Sequence, residues 1–415
     1  MNNDGISSTL NNSTKNSWLL LIGVILVGAN LRVPLTSVGA LISFIRDDLA
    51  ISNALAGFIT TLPLLAFALI SPFAPKIANR IGMEWTIMLS LVVLIIGIII
   101  RSLSGIGFLF TGTLFIGLAI AIGNVLIPGI VKMNFPLKIG LMTGIYAIFM
   151  NIFGALGSGL SVPIASIGNF GWQGALGVWG ALTMVSLLIW LPQLSKRRNQ
   201  KTNVKTEKKE KSNLWRSPLA WKITIFMGGQ SLTFYTLITW LPDILHSNGY
   251  NLNSAGWMVF LMQFALIPFT FIIPVIAEKM KNQVGLSVAT ALLFMIGFAG
   301  LLQGSPALVP VWVILLGIAG GSAFSLSMMF FTLRTKDGKE AAELSGMAQS
   351  FGYLLAAVGP VLVGALQDIT GGWTIPLFLL ILLSVVLLIV GIASGREGQV
   401  TDGIELYPAK AVVKQ

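Results

Sequence analysis

Cysteine is absent from the 415-residue chain, and histidine occurs once, at His246. The sequence therefore lacks the ligands of zinc sites, iron–sulfur clusters and attached haem, and it has no thiol for a disulfide or for nucleophilic catalysis. Charged residues are also scarce, at 10% of the chain, whereas they make up about a quarter of typical soluble domains. These absences exclude a soluble enzyme, and we expect neither a metal nor a cofactor.

Hydrophobic residues make up 55% of the chain, and they occur in long runs separated by polar segments. A run of about 20 apolar residues is long enough to cross a bilayer as a helix. The predicted spans are 18–42, 54–73, 85–103, 108–131, 139–161, 172–191, 219–241, 254–277, 284–302, 307–331, 344–366 and 373–393. The sequence thus predicts an all-α integral membrane protein with twelve transmembrane helices in two six-helix halves.

One polar segment is much longer than the others. Between Lys196 and Arg216 the chain holds nine Lys or Arg, two Glu and almost no apolar residues, so this segment cannot bury a core of its own. We interpret it as a linker between the two halves. The predicted domains are an N-terminal tail at 1–17, a six-helix bundle at 18–192, the basic linker at 193–218, a second six-helix bundle at 219–394 and a C-terminal tail at 395–415.

The positive charges indicate an orientation in the membrane. The formal net charge is +11, and when loops are assigned to alternate sides, all of the 26 Lys and Arg except Arg32, Arg46 and Arg101 fall on the side of the linker. By the positive-inside rule, this predicts a multi-pass protein of the cell membrane whose two termini are cytoplasmic. Because the charges lie between apolar blocks rather than on one basic face, we expect no nucleic-acid partner.

The two halves of the chain repeat one another. Pro75 aligns with Pro274 at a spacing of 199 residues, and Gly171 aligns with Gly372 at a spacing of 201, so the register barely drifts. Parallel repeats of this kind are typical of transporters that bind substrate near the bilayer midplane, between two halves. The repeat therefore favours a transporter that works by alternating access, and a channel is the less natural alternative.

Arg32 lies fourteen residues into the first predicted span, near the centre of the bilayer. A charged side chain at that depth costs roughly 3 kcal/mol on insertion scales, so it indicates a function by default. No predicted span has an Asp or Glu in its interior that could pair with it. We interpret Arg32 as a contact for an anionic substrate. The alternative is a structural role in which backbone carbonyls, polar side chains or water satisfy the guanidinium.

Other polar residues recur at a spacing of one helical turn, which places each group on a single helix face. The candidate substrate contacts among them are Asn30, Thr36, Asn124, Gln230, Tyr235, Gln349 and Tyr353. The alternative for each amide is a hydrogen bond to a neighbouring helix, which contributes about 0.6 kcal/mol in membrane proteins. Both interpretations stay open for each amide.

Four motifs resemble those of a known family. Residues 30–39 read NLRVPLTSVG, which is similar to the stretch N-L-R-P-x-x-T-S-V-G, and further motifs surround Pro128, Gln230 and Pro360 in the fourth, seventh and eleventh spans. Together they extend over nearly the whole chain. In this order the motifs resemble the major facilitator superfamily and, within it, the cyanate permease and 2-nitroimidazole transporter family.

This resemblance implies a twelve-helix facilitator fold in which the first, fourth, seventh and tenth helices line the cavity. It also implies a small substrate, such as cyanate, a nitroimidazole or another small and often anionic compound. Trp240 and Tyr353 would then supply aromatic walls or gates. The polar residues around Arg32, Asn124 and Gln230 lie on three of the lining helices.

The combined prediction is a secondary transporter, not an enzyme and without catalytic residues, that moves a small anionic or polar solute. Its partners are the solute and the lipid bilayer, with no obligate protein partner. Superfamily analogy adds a coupling proton, for which Asp243, His246 and the substrate itself are the candidate carriers.

Two alternatives come from other functional classes. A multidrug-type exporter of lipophilic compounds is favoured by 24 Phe and 15 Met, although exporters of lipophilic cations commonly use a membrane carboxylate, which the spans lack. A membrane enzyme or a receptor is the other alternative. Neither a nucleophile with an activating base nor an extramembrane domain is visible in the sequence.

Overall fold

The computed structural model describes residues 18–51, 53–168, 170–194 and 214–401, and every regular element in these ranges is helical. The helices of the first half are α1 (18–30), α2 (Val33–Ala40), α3 (Ile42–Leu49), α4 (Asn53–Ile70), α5 (Ala74–Ile81), α6 (Met83–Arg101), α7 (Ile106–Asn134), α8 (Ile139–Ala165), α9 (Gly171–Gly177) and α10 (Trp179–Trp190). Those of the second half are α11 (Pro218–Ser247), α12 (Leu252–Lys279), α13 (Val284–Gln303), α14 (Val309–Leu333), α15 (Gly338–Thr370) and α16 (Thr374–Gly395). The predicted N-terminal tail and most of the basic linker lie outside the described residues.

The helices correspond to the predicted spans. Within the described residues, 10 helices are long and apolar enough to cross a membrane, or 11 when the bent pair Phe58–Ile70 and Ala74–Ile81 is taken as one span. α11 is 30 residues long but more polar, because it carries Gln230 and several hydroxyl side chains. With α11 included, each of the twelve predicted spans has its helix. The prediction of an all-α integral membrane protein is confirmed.

Three of the predicted spans meet an interruption of the helix. The sixth is interrupted at Val178. The first is interrupted at residues 31–32, and a bend of 55° at the end of the second separates α4 from α5. Pro34 and Pro75 lie in the first turns of the helices that follow the breaks in the first and second spans. A proline has no backbone N–H to donate to the preceding turn, and its ring clashes with the carbonyl four residues earlier. Hydropathy does not register this loss, so the first span was predicted as unbroken, whereas the second was predicted to end at Phe73, where the bend lies.

One helix extends well beyond its predicted span. α15 begins at Gly338 rather than at 344, because Asp337 caps it: the Asp337 carboxylate accepts hydrogen bonds from the backbone N–H groups of Lys339 and Glu340, both at 3.0 Å. Hydropathy marks only the apolar part of a helix. The polar first turn was therefore missed.

The chain forms two compact units. As far as the structure describes them, the first covers Met1–Ile127 and Ile145–Asn199, and the second covers Pro128–Gly144 and Gln200–Gln415. Pro128–Gly144 contains the end of α7 and the start of α8, yet it packs with helices from the second half of the chain. The sequence predicted a change of unit only at the basic linker. The predicted tail, bundle and linker boundaries remain predictions.

The first unit has a hydrophobic core around the end of its first span. Its buried members are Val38, Leu41, Ile45, Ile51, Ile59, Leu109, Ala165, Trp172, Ala175 and Leu176. The indole Nε1 of Trp172 donates a hydrogen bond to Asp48 Oδ2 at 2.8 Å, which ties α9 to α3. This core holds α2 against its neighbours.

In the second unit the main helix pairs are α11 with α15, α12 with α14 and α13 with α16. Arg334 follows α14, is buried, and donates to the carbonyls of Ser394 and Gly395 at 2.8 and 2.9 Å and to Gln283 Oε1. Burial lowers the pKa of the Arg334 guanidinium, and the charge of Glu397 partly offsets that shift. Arg334 thus connects the ends of α14 and α16 to the start of α13.

α12 and α14 approach each other through glycines. A Cβ at Gly317 would overlap the carbonyl oxygen of Met262, and a Cβ at Gly321 would overlap that of Leu266. At Gly320 the nearest atom is the tip of a flexible side chain, Leu266 Cδ1, at 3.7 Å from an added Cβ. Small residues at such positions allow helix backbones to pack closely in membranes.

We expect Gly317→Ala to lower the free energy of unfolding by about 1–3 kcal/mol, because the added methyl group would push the α12 backbone away. Gly320→Ala, on the same helix, is the matched control and should unfold at or slightly above the wild-type temperature. Thermal unfolding of the detergent-solubilised protein, followed by tryptophan fluorescence, measures both midpoints. Equal midpoints for the two variants would contradict the close approach at Gly317.

Candidate substrate site

Arg32 lies at the break in the first span. The backbone N–H groups of Leu31 and Arg32 bond to the carbonyls of Gly28 and Ala29 at 3.1 and 3.4 Å, and α2 then begins at Val33. Arg32 is the N-cap residue of α2, with φ −118° and ψ −44°, and its side chain does not cap the helix. Arg32 therefore lies at the junction of α1 and α2.

α8 packs on this break through two glycines. A Cβ at Gly154 would lie 2.6 Å from Arg32 Cγ, and a Cβ at Gly157 would lie 2.7 Å from Thr36 Oγ1. Thr36 also donates to the Arg32 carbonyl at 3.3 Å. Arg32 and Thr36 are both half-buried. The glycines of α8 thus leave room for the two predicted site residues of α2.

Asn30 is buried and bonded to another helix. Its Nδ2 donates to Ser186 Oγ at 2.7 Å and to the Leu26 carbonyl at 2.8 Å, and its Oδ1 accepts from Thr183 Oγ1 at 2.6 Å. These bonds use both amide donors and join the end of α1 to α10. They are the interhelical hydrogen bonds that the sequence analysis gave as the alternative role of this amide.

Asn124 lies beside the break on α7. The neighbouring Gly123 faces α1 so closely that a Cβ there would lie 2.7 Å from Leu31 Cδ2. Asn124 itself is half-buried. Asn124 therefore follows a glycine that packs against Leu31, the residue before Arg32, and its role as a substrate contact stays a prediction.

Two predicted amides of the second unit are buried and bond within their own helices. Gln230 Nε2 donates to Ser231 Oγ at 2.8 Å and to Met227 Sδ at 3.3 Å. Gln349 Nε2 donates to Ser345 Oγ at 2.8 Å. Each of these amides thus has at least one polar partner on α11 or α15.

The predicted aromatic residues differ in their contacts. Trp240 Nε1 donates to the Pro360 carbonyl at 2.7 Å, which joins α11 to α15. Tyr235 is half-buried and stacks edge-to-face on Phe234 with a centroid distance of 5.4 Å. Tyr353 is buried on α15. Trp240 therefore supports the packing of two helices.

The remaining predicted residues lie at the end of α11. Asp243 and His246 are both exposed in its last turns. Among the residues that the structure describes, no group of three or more His, Asp or Glu is arranged to hold a metal ion. Of the predicted site, Asn30, Arg32, Thr36 and Asn124 belong to the first unit, and the other residues belong to the second.

Arg101 is a residue to which the sequence analysis gave no role beyond orientation. It ends α6, is fully buried, and donates from Nη1 to the Pro34 carbonyl of α2 at 2.6 Å. Its position inside the predicted span 85–103, two residues before the end, was the signal that could have identified it.

Lys132, near the end of α7, is half-buried in the second unit. Its Nζ donates to the carbonyls of Thr332 and Thr335, and to Thr335 Oγ1 at 3.2 Å. These carbonyls end α14, where a helix carries unpaired acceptors and favours a cation. A Cβ at Gly338 would overlap Met133 next to Lys132. Lys132 therefore holds the segment Pro128–Gly144 against α14 and α15.

The profile of the Major Facilitator Superfamily matches residues 20–299 and 230–400. The chain belongs to the major facilitator superfamily. It is 49% identical to the uncharacterized transporter YycB of Bacillus subtilis (strain 168), over 92% of this chain and 94% of that protein. It is 41% identical to the 2-nitroimidazole transporter of Escherichia coli (strain K12), over 94% and 98%.

A third relative is the cyanate transport protein CynX of Escherichia coli (strain K12), 24% identical over 85% of this chain and 91% of its own length. Among solved structures, the proton:xylose symporter XylE matches with a TM-score of 0.73 at 12% identity, over 94% of this chain and 98% of that chain. That likeness shows the fold alone. The facilitator is accordingly a membrane transporter and not an enzyme.

We expect Lys132→Met to lower the free energy of unfolding by about 1–3 kcal/mol, because it leaves buried carbonyls at the end of α14 without their donor. Lys138→Met is the matched control, since Lys138 is exposed in the same segment. The thermal unfolding midpoint of each variant in detergent measures the difference. A Lys132→Met midpoint as high as that of Lys138→Met would count against the hydrogen bonds to Thr332 and Thr335.

Proposed function

We propose that this facilitator carries a small anionic or polar solute across the cell membrane by alternating access, and that Arg32 contacts the negative charge of the solute. The observation that carries the proposal is the position of Arg32 at the two-residue interruption between α1 and α2, inside the membrane span Trp18–Gly39. An ionisable residue inside a membrane span indicates a functional site by default.

The chemistry at the break favours an anion. A guanidinium forms strong charge-assisted hydrogen bonds to carboxylates and similar groups. A solute that brings its own negative charge therefore suits this position.

Neighbouring residues complete the proposed contacts. Thr36 and Asn124 are half-buried in the same unit as Arg32 and supply a hydroxyl and an amide. Asn30 supports the end of α1 through its bonds to α10. From the second unit, the proposed contacts and aromatic walls are Gln230, Tyr235, Trp240, Gln349 and Tyr353.

The relatives support this substrate class through their names. One is a transporter of 2-nitroimidazole, a small polar heterocycle, and another is a transport protein for cyanate, a small anion. The similarity covers 94% of this chain for the first relative and 85% for the second. We therefore infer a similar kind of substrate.

Coupling and orientation complete the proposal. The candidate proton carriers are Asp243 and His246, which are exposed on α11, together with the solute itself. The distribution of Lys and Arg supports cytoplasmic termini and a cytoplasmic linker. The lipid bilayer of the cell is the surrounding medium, and no protein partner is needed.

We expect the purified wild-type protein to be stabilised by cyanate, 4-hydroxybenzoate or 2-nitroimidazole, because a ligand that binds only the folded state raises its stability. The gain is about 2.7 kcal/mol at a ligand concentration of roughly 100 Kd. Arg32→Gln should abolish the stabilisation by the anions. Thermal unfolding with and without each ligand measures the effect, and uptake into proteoliposomes follows for any ligand that binds.

Arg46→Gln is the control, because Arg46 pairs with the adjacent Asp47 at 2.9 Å on an exposed surface. Its response to anions should match that of the wild type. Stabilisation by tetraphenylphosphonium alone would favour an exporter of lipophilic cations. Anion binding that survives in Arg32→Gln would show that Arg32 is not the contact.

A further inference from the structure

The guanidinium of Arg101 is buried with only part of its hydrogen-bonding capacity used. Its exposed fraction is 0%, and Nη1 donates to the Pro34 carbonyl at 2.6 Å. Nε and Nη2 have no acceptor within the part of the chain that the structure describes. Arg101 also forms no ion pair there, so its charge is not compensated by a carboxylate.

The backbone of Arg101 is held tightly against α7. A Cβ at Gly112 would lie 2.6 Å from the Cα of Arg101, so only glycine fits opposite this residue. On the other side, a Cβ at Gly177 of α9 would lie 3.3 Å from Ser102 Oγ. The end of α6 is therefore packed tightly between α7 and α9. This packing fixes the backbone position of Arg101, from which its side chain extends to α2.

Stability does not account for an arginine at this position. A buried charge without a partner is costly, and well-packed apolar residues of similar volume often replace such charges with equal or greater stability. One hydrogen bond to a backbone carbonyl does not require a guanidinium. The retained charge therefore indicates a role other than holding the fold.

The hydrogen bond of Arg101 ends at the segment that carries Arg32. Pro34 lies in the first turn of α2, and Arg32 is the N-cap residue of the same helix. A second cation thus holds the start of α2 from the side of α6. Two arginines of the first unit therefore have positions next to the start of α2.

We propose that Arg101 is a positioning residue for anion binding: its hydrogen bond to Pro34 and its uncompensated charge hold α2 and Arg32 ready for a negatively charged solute. The inference rests on the proposed function of Arg32. Arg101 is in this proposal a second positive group, whose charge attracts the solute without direct contact.

Arg101→Met tests this in the full-length protein, because methionine fills much of the same volume without charge or donors. Without ligand, we expect it to unfold at or above the wild-type temperature. Its Kd for cyanate and for 4-hydroxybenzoate, measured by ligand-dependent thermal shifts, should rise about tenfold. In proteoliposomes KM should rise by a similar factor, with a smaller change in the maximal rate.

Arg101→Lys and Arg101→Gln separate charge from hydrogen bonding, because both can donate to the Pro34 carbonyl and only lysine is charged. We expect the lysine variant to bind the two anions within about threefold of wild type, and roughly tenfold more tightly than the glutamine variant. This pair also decides the matter if Arg101→Met does not fold. Equal anion affinity in the lysine and glutamine variants would overturn the inference.

The outcomes distinguish this inference from the proposed function. If wild type binds the anions, Arg32→Gln does not and Arg101→Met binds like wild type, Arg101 has only a structural role and Arg32 keeps its own. If wild type binds neither anion, the proposed function fails and this inference fails with it. A lower unfolding temperature with unchanged Kd in Arg101→Met would likewise overturn the role of Arg101 in anion binding.

Discussion

Polar groups in a membrane-spanning bundle must find their hydrogen-bond partners within the protein, because hydrocarbon offers none. The Asn30 amide meets hydroxyls of α10, and the Trp240 indole meets a carbonyl of α15. Each of these bonds joins two helices. An amide or indole in an apolar run looks the same in a sequence whether it binds a solute or another helix, so the sequence could not assign these residues to helix packing.

Proline and glycine determine where the membrane helices are interrupted and where they pack closely. Pro34 interrupts the backbone ladder of the first span, and the glycines of α8 leave the space into which Arg32 and Thr36 project. The hydrophobic effect cannot drive helices together inside lipid, so van der Waals packing at close backbone contacts, such as the one at Gly317, stabilises the helix pair instead. The interruption of the first span and the close packing of α8 against it thus depend on a proline and on glycines.

The charge pattern of the first unit is asymmetric. Arg32 and Arg101 both lie next to the start of α2, and the predicted spans contain no interior carboxylate. Like charges repel and opposite charges attract, so the surroundings of this helix start are more favourable to an anion than to a cation.

The sequence by itself determined the twelve spans, the parallel repeat and the family, because the length of an apolar run and the order of motifs are properties of neighbouring residues. It also located Arg32 within the membrane. Only the tertiary structure decided that Asn30 is bonded to α10, that Arg101 reaches Pro34 and that Pro128–Gly144 packs with α14 and α15. These features depend on which helix faces which, and residues that meet this way are as far apart as Asn30 and Ser186 in sequence. No local pattern encodes such contacts.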